Sequence, residues 1–257
     1  GFLGVTAAGI ASLSDEQLGA LTPTQIGRLS FQQVRGLTTT QITGLADTQL
    51  AALTAIGISA LTANQMAALS QEQVGALSTT QVRSLTPAAL GTLSVDQIDA
   101  LSATQMSALS VTQIRGFDAA DTASLDAVQL GALSSLQMGA FTASQIRALS
   151  LEQIGSLTAT QIKGLTAAEM TAMSATQVGA LTPEQIPELT VAGLSGLTAI
   201  NMAGLSAEQL GALTATQVGQ LAPMQVRGLS ATQIPALADT QLAALTATGM
   251  TGLTATQ

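Results

Sequence analysis

The sequence contains no cysteine, histidine, tryptophan or tyrosine, and aromatic residues make up only 2% of it. Without cysteine there is no disulfide framework and no thiolate ligand for a metal. A catalytic nucleophile would have to be a Ser or Thr, activated by a carboxylate or by Lys163, which is the one lysine. No Gly-rich phosphate-binding loop is present. We therefore predict a protein that is not an enzyme, with no catalytic, cofactor-binding or metal-binding residues.

Charge is also scarce. Charged residues make up 9% of the chain and the net charge is −8, without any basic or aromatic patch. This balance argues against binding to nucleic acid, which requires a positive surface. Ser, Thr or Gln interrupts the apolar stretches every few residues, so no run of about 18 apolar residues is available to cross a bilayer. The chain is predicted not to be transmembrane.

An eight-residue repeat fills the sequence instead, from Val5 to Leu253, without insertion or deletion. We letter its places a to h, with Leu157 at a and Gly164 at h. Place a is Leu in 28 of 32 octads, place b is Ser or Thr in 27 of 32, place e is mostly Gln, and place f is aliphatic or Met except at Thr122. This regularity predicts one continuous repeat array over residues 1–257. Because both chain ends fall at place e, we expect the array to be a segment of a longer protein.

Each octad carries the signals of one short helix. The hydroxyl at b is suited to cap a helix N-terminus, and the Gln three residues later completes a capping box. Prolines at c occupy the first helical position, where a missing N–H is tolerated (Pro23, Pro87, Pro183 and Pro223). One continuous helix is excluded, because eight residues at about 100° each drift by roughly 80° per octad. Gly or Ala at g and h predicts a tight corner between successive helices.

A second regularity has a period of sixteen residues. Six of the seven basic residues stand at place g, always separated by multiples of sixteen: Arg35, Arg83, Arg115, Arg147, Lys163 and Arg227. This alternation predicts an all-α solenoid with two octads, or sixteen residues, in each coil and with places a and f in a shared core. A β-solenoid is the rival fold because Thr, Ile and Val favour strands, although a strict period of two is absent. The bases would form a sparse positive line along one edge, either pairing with acids of a neighbour or simply solvated.

Two features are candidate sites. Asp118, Asp121 and Asp126 gather where the repeat is least regular, and they predict either a calcium site or helix caps with a local kink. The column of Gln at place e predicts either a polar ladder open to a ligand or a set of capping boxes. In both cases the structural interpretation is favoured, since Asp caps a helix as well as Ser does and the capping box already engages each amide.

The runs at residues 157–162 and 213–218, Leu-Thr-Ala-Thr-Gln followed by Ile or Val, resemble the Leu-Thr-x-x-Gln-Ile tracts of very large bacterial proteins. Those proteins are often labelled as surface, adhesion or haem-utilisation proteins. The resemblance covers the whole chain and implies a secreted or surface-attached structural array. The haem label finds no support in the residues, because His, Cys and Tyr are all missing as axial ligands.

These observations predict a structural protein, a rod or filament segment that serves as a stalk, scaffold or adhesin spacer outside a bacterial cell or on its surface. A surface of Ser, Thr, Ala, Gly and Gln has few charges to keep copies apart, so copies of the same chain are the expected partners, with cell-surface or matrix components as further ones. The alternative is a binding protein whose Thr residues at b and d form a regular array that matches ice or a polysaccharide. Thr158 and Thr160, and Thr214 and Thr216, are examples.

Overall fold

The computed structural model describes residues 4–257. Over these residues the secondary structure consists of short helices, one for each of the 31 complete octads from Val5 to Gly252, and no strand is present. The prediction of an all-α solenoid of very short helices is therefore confirmed, and the rival β-solenoid is not found in the described residues.

Contacts divide the chain into two compact units, Gly1–Ala132 and Leu133–Gln257, and each is described by itself. The helices of the first unit are α1 (Ala7–Ala11), α2 (Asp15–Gly19), α3 (Pro23–Ile26), α4 (Phe31–Gly36), α5 (Thr39–Thr43), α6 (Asp47–Ala52), α7 (Ala55–Ser59), α8 (Ala63–Ala68), α9 (Gln71–Gly75), α10 (Thr79–Ser84), α11 (Pro87–Leu90), α12 (Val95–Asp99), α13 (Ala103–Ala108), α14 (Val111–Ile114), α15 (Ala119–Ser124) and α16 (Ala127–Gly131).

The helices of the second unit are α17 (Ser135–Met138), α18 (Ala143–Ala148), α19 (Leu151–Gly155), α20 (Ala159–Gly164), α21 (Ala167–Ala172), α22 (Ala175–Gly179), the 3-10 helix η1 (Ile186–Glu188), α23 (Val191–Leu194), α24 (Ala199–Ala203), α25 (Ala207–Ala212), α26 (Ala215–Gly219), α27 (Pro223–Gly228), the 3-10 helix η2 (Ile234–Ala236), α28 (Asp239–Ala244) and α29 (Ala247–Met250). The two 3-10 helices contain Pro187 and Pro235, which stand at place g and cannot donate to a preceding carbonyl.

The number of helices in a coil differs from the prediction. Helix α1, which begins at residue 7, packs on α4, which begins at residue 31, and α4 in turn packs on α7, which begins at residue 55. In both units, the helices that share the most contacts are likewise three octads apart. A coil therefore contains three octads, and the prediction of two octads and sixteen residues is wrong.

Helices that are stacked three octads apart form columns. In the first unit, one column contains α1, α4, α7, α10, α13 and α16, a second contains α2, α5, α8, α11 and α14, and a third contains α3, α6, α9, α12 and α15. The core lies between the three columns and is built from places a and f, as the repeat predicts. In the second unit, Leu157 at a and Ile162 at f are both buried. One octad cannot bury these side chains alone, so each coil depends on its neighbours.

The corners between helices are made without left-handed backbone. In residues 4–257 no residue has a positive φ, glycines included. A typical corner follows α20, where Leu165 ends the helix with φ −66° and ψ 122°, an extended conformation open to any residue. The small residues at g and h are therefore not needed for the corner's dihedral angles, contrary to the expectation from helix C-caps.

Glycine at place h is explained at several corners by the close approach of the preceding coil. A Cβ atom placed on Gly164 would lie 2.2 Å from the carbonyl oxygen of Ser135, the first residue of the helix three octads earlier. Gly36 meets the backbone of Ala7 in the same way, at 2.8 Å. Because neither backbone can move aside as a flexible side chain would, glycine at these corners sets how closely the coils stack.

Candidate functional site

The most distinctive polar group of the molecule is the buried amide of the Gln at place e. In α8, the backbone N–H of Thr62 donates to Oε1 of Gln65 at 2.8 Å, and the backbone N–H of Gln65 donates to the Thr62 hydroxyl at 3.2 Å. The predicted capping box is thus formed. Only 2% of the surface of Gln65 remains exposed.

The nitrogen of the same amide contacts the preceding coil. Nε2 of Gln65 donates to the carbonyl oxygens of Val34 at 3.0 Å, Arg35 at 3.4 Å and Leu37 at 2.7 Å. These carbonyls belong to the last turn of α4 and to the corner that follows it, where helices leave carbonyls without a partner. One side chain therefore caps the start of its own helix and the end of a helix in the preceding coil. We call this arrangement the corner clamp.

The corner clamp recurs along both units with the same spacing. In the first unit, Nε2 of Gln129 donates to carbonyls 31 and 28 residues earlier, and in the second unit Gln241 does the same. Gln17, in the first coil, makes the capping box but remains exposed, and its Nε2 forms no such bond with a described residue. The amide oxygen and the amide nitrogen of each clamping Gln are both hydrogen-bonded within the protein. These Gln side chains therefore do not form a polar ladder that is open to a ligand. The structural interpretation of the Gln residues is confirmed.

Residues that replace Gln at place e keep only part of the clamp. Asn201 accepts the N–H of Thr198 at 2.9 Å and donates to the carbonyl of Met173 at 3.3 Å, so its shorter side chain retains the cap and one bond to the preceding coil. The Glu169 carboxylate accepts the N–H of Thr166 at 2.7 Å and the hydroxyl of the same residue. An ionised carboxylate has no proton to donate to the carbonyls of the preceding coil.

The three aspartates of the irregular octads act as caps. Asp118 accepts the N–H of Asp121, and Asp121 accepts the N–H of Asp118, both at 2.9 Å, so the pair reproduces the capping box. Asp126 accepts the N–H of Gln129 at 2.7 Å. In residues 4–257 no group of three or more Asp or Glu side chains is arranged to hold a metal ion. The structure therefore assigns helix capping to these carboxylates.

Asp121 is nevertheless unusual because it is buried. Burial raises the pKa of its carboxyl group above the ordinary value of 3.8, against the effect of the hydrogen bond from the Asp118 backbone, and the nearby Asp118 charge raises it further. The pKa is lowered at three exposed glutamates: Glu72 and Glu208 lie in the first turn of a helix, and Glu184 lies in the turn before η1. A hydrogen bond from the residue's own backbone N–H lowers the pKa of each of these carboxyl groups.

The predicted line of bases along one edge is not formed. With three octads in a coil, a spacing of sixteen residues moves each base to a different column. In the second unit, Arg147, Lys163 and Arg227 lie on α18, α20 and α27, which belong to three different columns. In the first unit, Arg35 and Arg83 share a column, because they are six octads, or two coils, apart.

Lys163 contacts an acid of the neighbouring coil. Its Nζ lies 2.9 Å from Oε2 of Glu188, and both side chains are partly exposed. The pair joins α20 to η1, the next helix of the same column. An exposed pair of this kind contributes little free energy. The geometry gives Lys163 an acidic partner at the surface.

The Thr residues considered for a binding array are not collected on one face. Thr158 and Thr160 belong to α20 and its cap, whereas Thr214 and Thr216 belong to α26 and its cap, in another column. The hydroxyl groups at b also have a structural role, because the Thr158 and Thr214 hydroxyls accept backbone N–H groups of their own helices.

Large apolar side chains form an exposed surface that depends on the three-octad coil. Most of them stand at places c and d. In the first unit Phe31, Ile56 and Val128 fall on the same column, whereas Val95 and Val111 lie on the other two. Reasoning from the sequence missed this surface, because it sorted the octads in pairs. Sorting them in threes would have revealed the grouping.

No protein-family model and no curated protein matches the chain. None of the helices in residues 4–257 has the length and apolar character needed to cross a membrane.

Proposed function

We propose that the chain is a non-enzymatic structural repeat protein, a segment of a rod or filament that serves as a scaffold, stalk or adhesin spacer outside a bacterial cell or at its surface. The observation that carries this proposal is the corner clamp. Each clamp uses a side chain to join one coil to the coil before it, as Gln65 joins α8 to the end of α4. Such coupling stabilises a stack that grows by adding coils of equal design.

The surface of the coils supports the same proposal. The octads bury most of their large apolar residues at a and f and most of their Gln amides, and apart from scattered apolar side chains such as Ile56 they leave mainly hydroxyl, methyl and glycine groups outside, with few charges. Surfaces with few charges associate readily, so copies of the chain are the proposed partners. A catalytic role has less support, since the buried polar groups that an enzyme would use for chemistry are here engaged in caps and clamps.

Electron microscopy of the purified chain, with light scattering over a range of protein concentrations, tests the proposal. We expect filaments, lateral arrays or ordered lattices, and a scattering mass that rises with concentration. A compact monomer that keeps its mass at every concentration would contradict self-association. Labelling intact and permeabilised cells with an antibody tests the location: surface labelling of intact cells is expected, and labelling only after permeabilisation would contradict it.

The array of Thr hydroxyls is the other candidate, and a direct assay separates it from the structural role. Thermal hysteresis and retention on immobilised polysaccharides are both expected to be absent, because the Thr residues at d are distributed over different columns. Activity in either assay, lost on replacing Thr160 and Thr216 by Ala, would instead favour the binding role.

A further inference from the structure

Two columns of the first unit carry opposite charges at their surfaces. The apolar column contains α1, α4, α7, α10, α13 and α16, and it exposes Phe31, Ile56 and Val128, with 65% of Ile56 and 67% of Val128 accessible to solvent. Its charged residues outside the caps are Arg35 and Arg83, both exposed. Neither arginine forms an ion pair with another described residue. This surface combines three large apolar side chains with two positive charges that no described acid pairs with.

The acidic column contains α3, α6, α9, α12 and α15. It exposes Asp47, Glu72, Asp96 and Asp99, against a single base, Arg28. Between α9 and α12 an open groove is lined by Glu72, Asp96 and Asp99, with Gly75 and Ala100 as its small residues. A groove with small residues and carboxylates fits the aliphatic stem and guanidinium group of an arginine side chain.

The spacing of the two arginines on the apolar column equals that of two acidic residues on the acidic column. Arg35 lies on α4 and Arg83 on α10, two coils apart, while Asp47 lies on α6 and Asp96 on α12, also two coils apart. The coils of one chain and its copy have the same rise, so two arginines on one column and two acidic positions on the other match in spacing. The sixteen-residue period of the bases does not by itself produce this match in spacing, because in the second unit the same period places the bases on three different columns.

We propose that the apolar column of one copy docks on the acidic column of a second copy, with Arg35 and Arg83 of the first reaching Asp47 and the groove formed by Glu72, Asp96 and Asp99 of the second. The inference deepens the proposed function and rests on it. Each copy carries both columns, so the contact is heterologous and leaves one column of each end copy available. Side-by-side growth into sheets or bundled filaments follows from that geometry.

A charge-swap experiment on the full chain tests this pairing. The double variant Arg35→Glu/Arg83→Glu and the triple variant Asp47→Lys/Glu72→Lys/Asp96→Lys are each expected to weaken self-association, measured by sedimentation velocity, by about tenfold or more. Mixing the two variants in equal amounts is expected to restore association, because the reversed charges again face opposite partners. Added salt should weaken the native association as well.

The matched control is Arg147→Glu/Arg227→Glu, which changes the net charge by the same amount but lies in the second unit, outside both columns. It is expected to associate as the native chain does. Native-like association of Arg35→Glu/Arg83→Glu, or equal losses in it and in the control, would overturn the proposed pairing while leaving self-association standing. A native chain that stays monomeric at every concentration would contradict the proposed function itself. If circular dichroism shows that the triple variant does not fold, the comparison of self-association between Arg35→Glu/Arg83→Glu and its control still tests the pairing.

Discussion

Nε2 of Gln65 donates a hydrogen bond of 2.7 Å to the carbonyl oxygen of Leu37, 28 residues earlier in the chain. The same side chain accepts the N–H of Thr62 through Oε1. A local signal, the capping box, is thereby converted into a long-range contact between coils. The stability of the stack should depend on this amide more than on the cap alone.

Replacing Gln65 by Ala is expected to lower the free energy of unfolding by about 1–3 kcal/mol, because the carbonyl of Leu37 loses its donor in a buried site. Thermal unfolding followed by circular dichroism measures the change. Gln17→Ala is the control, since Gln17 makes the capping box but no contact to a preceding coil among the described residues. Its cost should be about 1 kcal/mol or less. Equal losses at both positions would contradict the role assigned to the inter-coil bonds.

Gly164→Ala is expected to destabilise the second unit by about 1–3 kcal/mol, because the new methyl group would meet the backbone of Ser135. Gly211, inside α25, is the matched control, since a Cβ there meets nothing within 4 Å. Gly211→Ala should raise stability by about 0.5–1 kcal/mol through helix propensity. Both variants replace Gly by Ala. A lower melting temperature for Gly164→Ala and a higher one for Gly211→Ala would establish that the close packing of coils, and not backbone freedom, requires glycine at place h.

Asp121→Asn is expected to alter how stability depends on pH. The pKa of Asp121 is raised in the folded chain, so the folded state holds its proton over a range beginning near the ordinary value of 3.8, where the unfolded state has released it. Native stability should therefore fall as pH rises through that range. The variant lacks this loss, and its melting temperature relative to the native chain should increase from acidic to neutral pH. A difference that is constant with pH would argue against a proton held at Asp121.

The contact between Lys163 and Glu188 is expected to contribute little. A double-mutant cycle with Lys163→Gln and Glu188→Gln should give a coupling free energy of about 1 kcal/mol or less, because both side chains are partly exposed. The coupling should shrink further in about 1 M salt, where the Debye length is only about 3 Å. A larger coupling that persists in salt would mean that the pair is desolvated in solution.

The sequence carries enough information for each helix because the relevant contacts are local. Thr62 and Gln65 are three residues apart, and any chain with this spacing can form the capping box in the observed way. The apolar residues at a and f likewise identify the core, as Leu157 and Ile162 illustrate. The same reasoning identified Asp118 as a cap. These predictions required no knowledge of how one octad lies against another.

The number of octads in a coil was decided only by the tertiary structure. Successive octads are nearly identical, so their local signals fit a coil of two as well as a coil of three, and the sixteen-residue alternation of bases favoured the wrong choice. The observed choice depends on contacts between coils, such as Gly164 against Ser135 and Gln65 against Leu37. Those contacts arise from the angle at each corner, which a repeated local pattern does not encode. They alone place Phe31, Ile56 and Val128 on a common column.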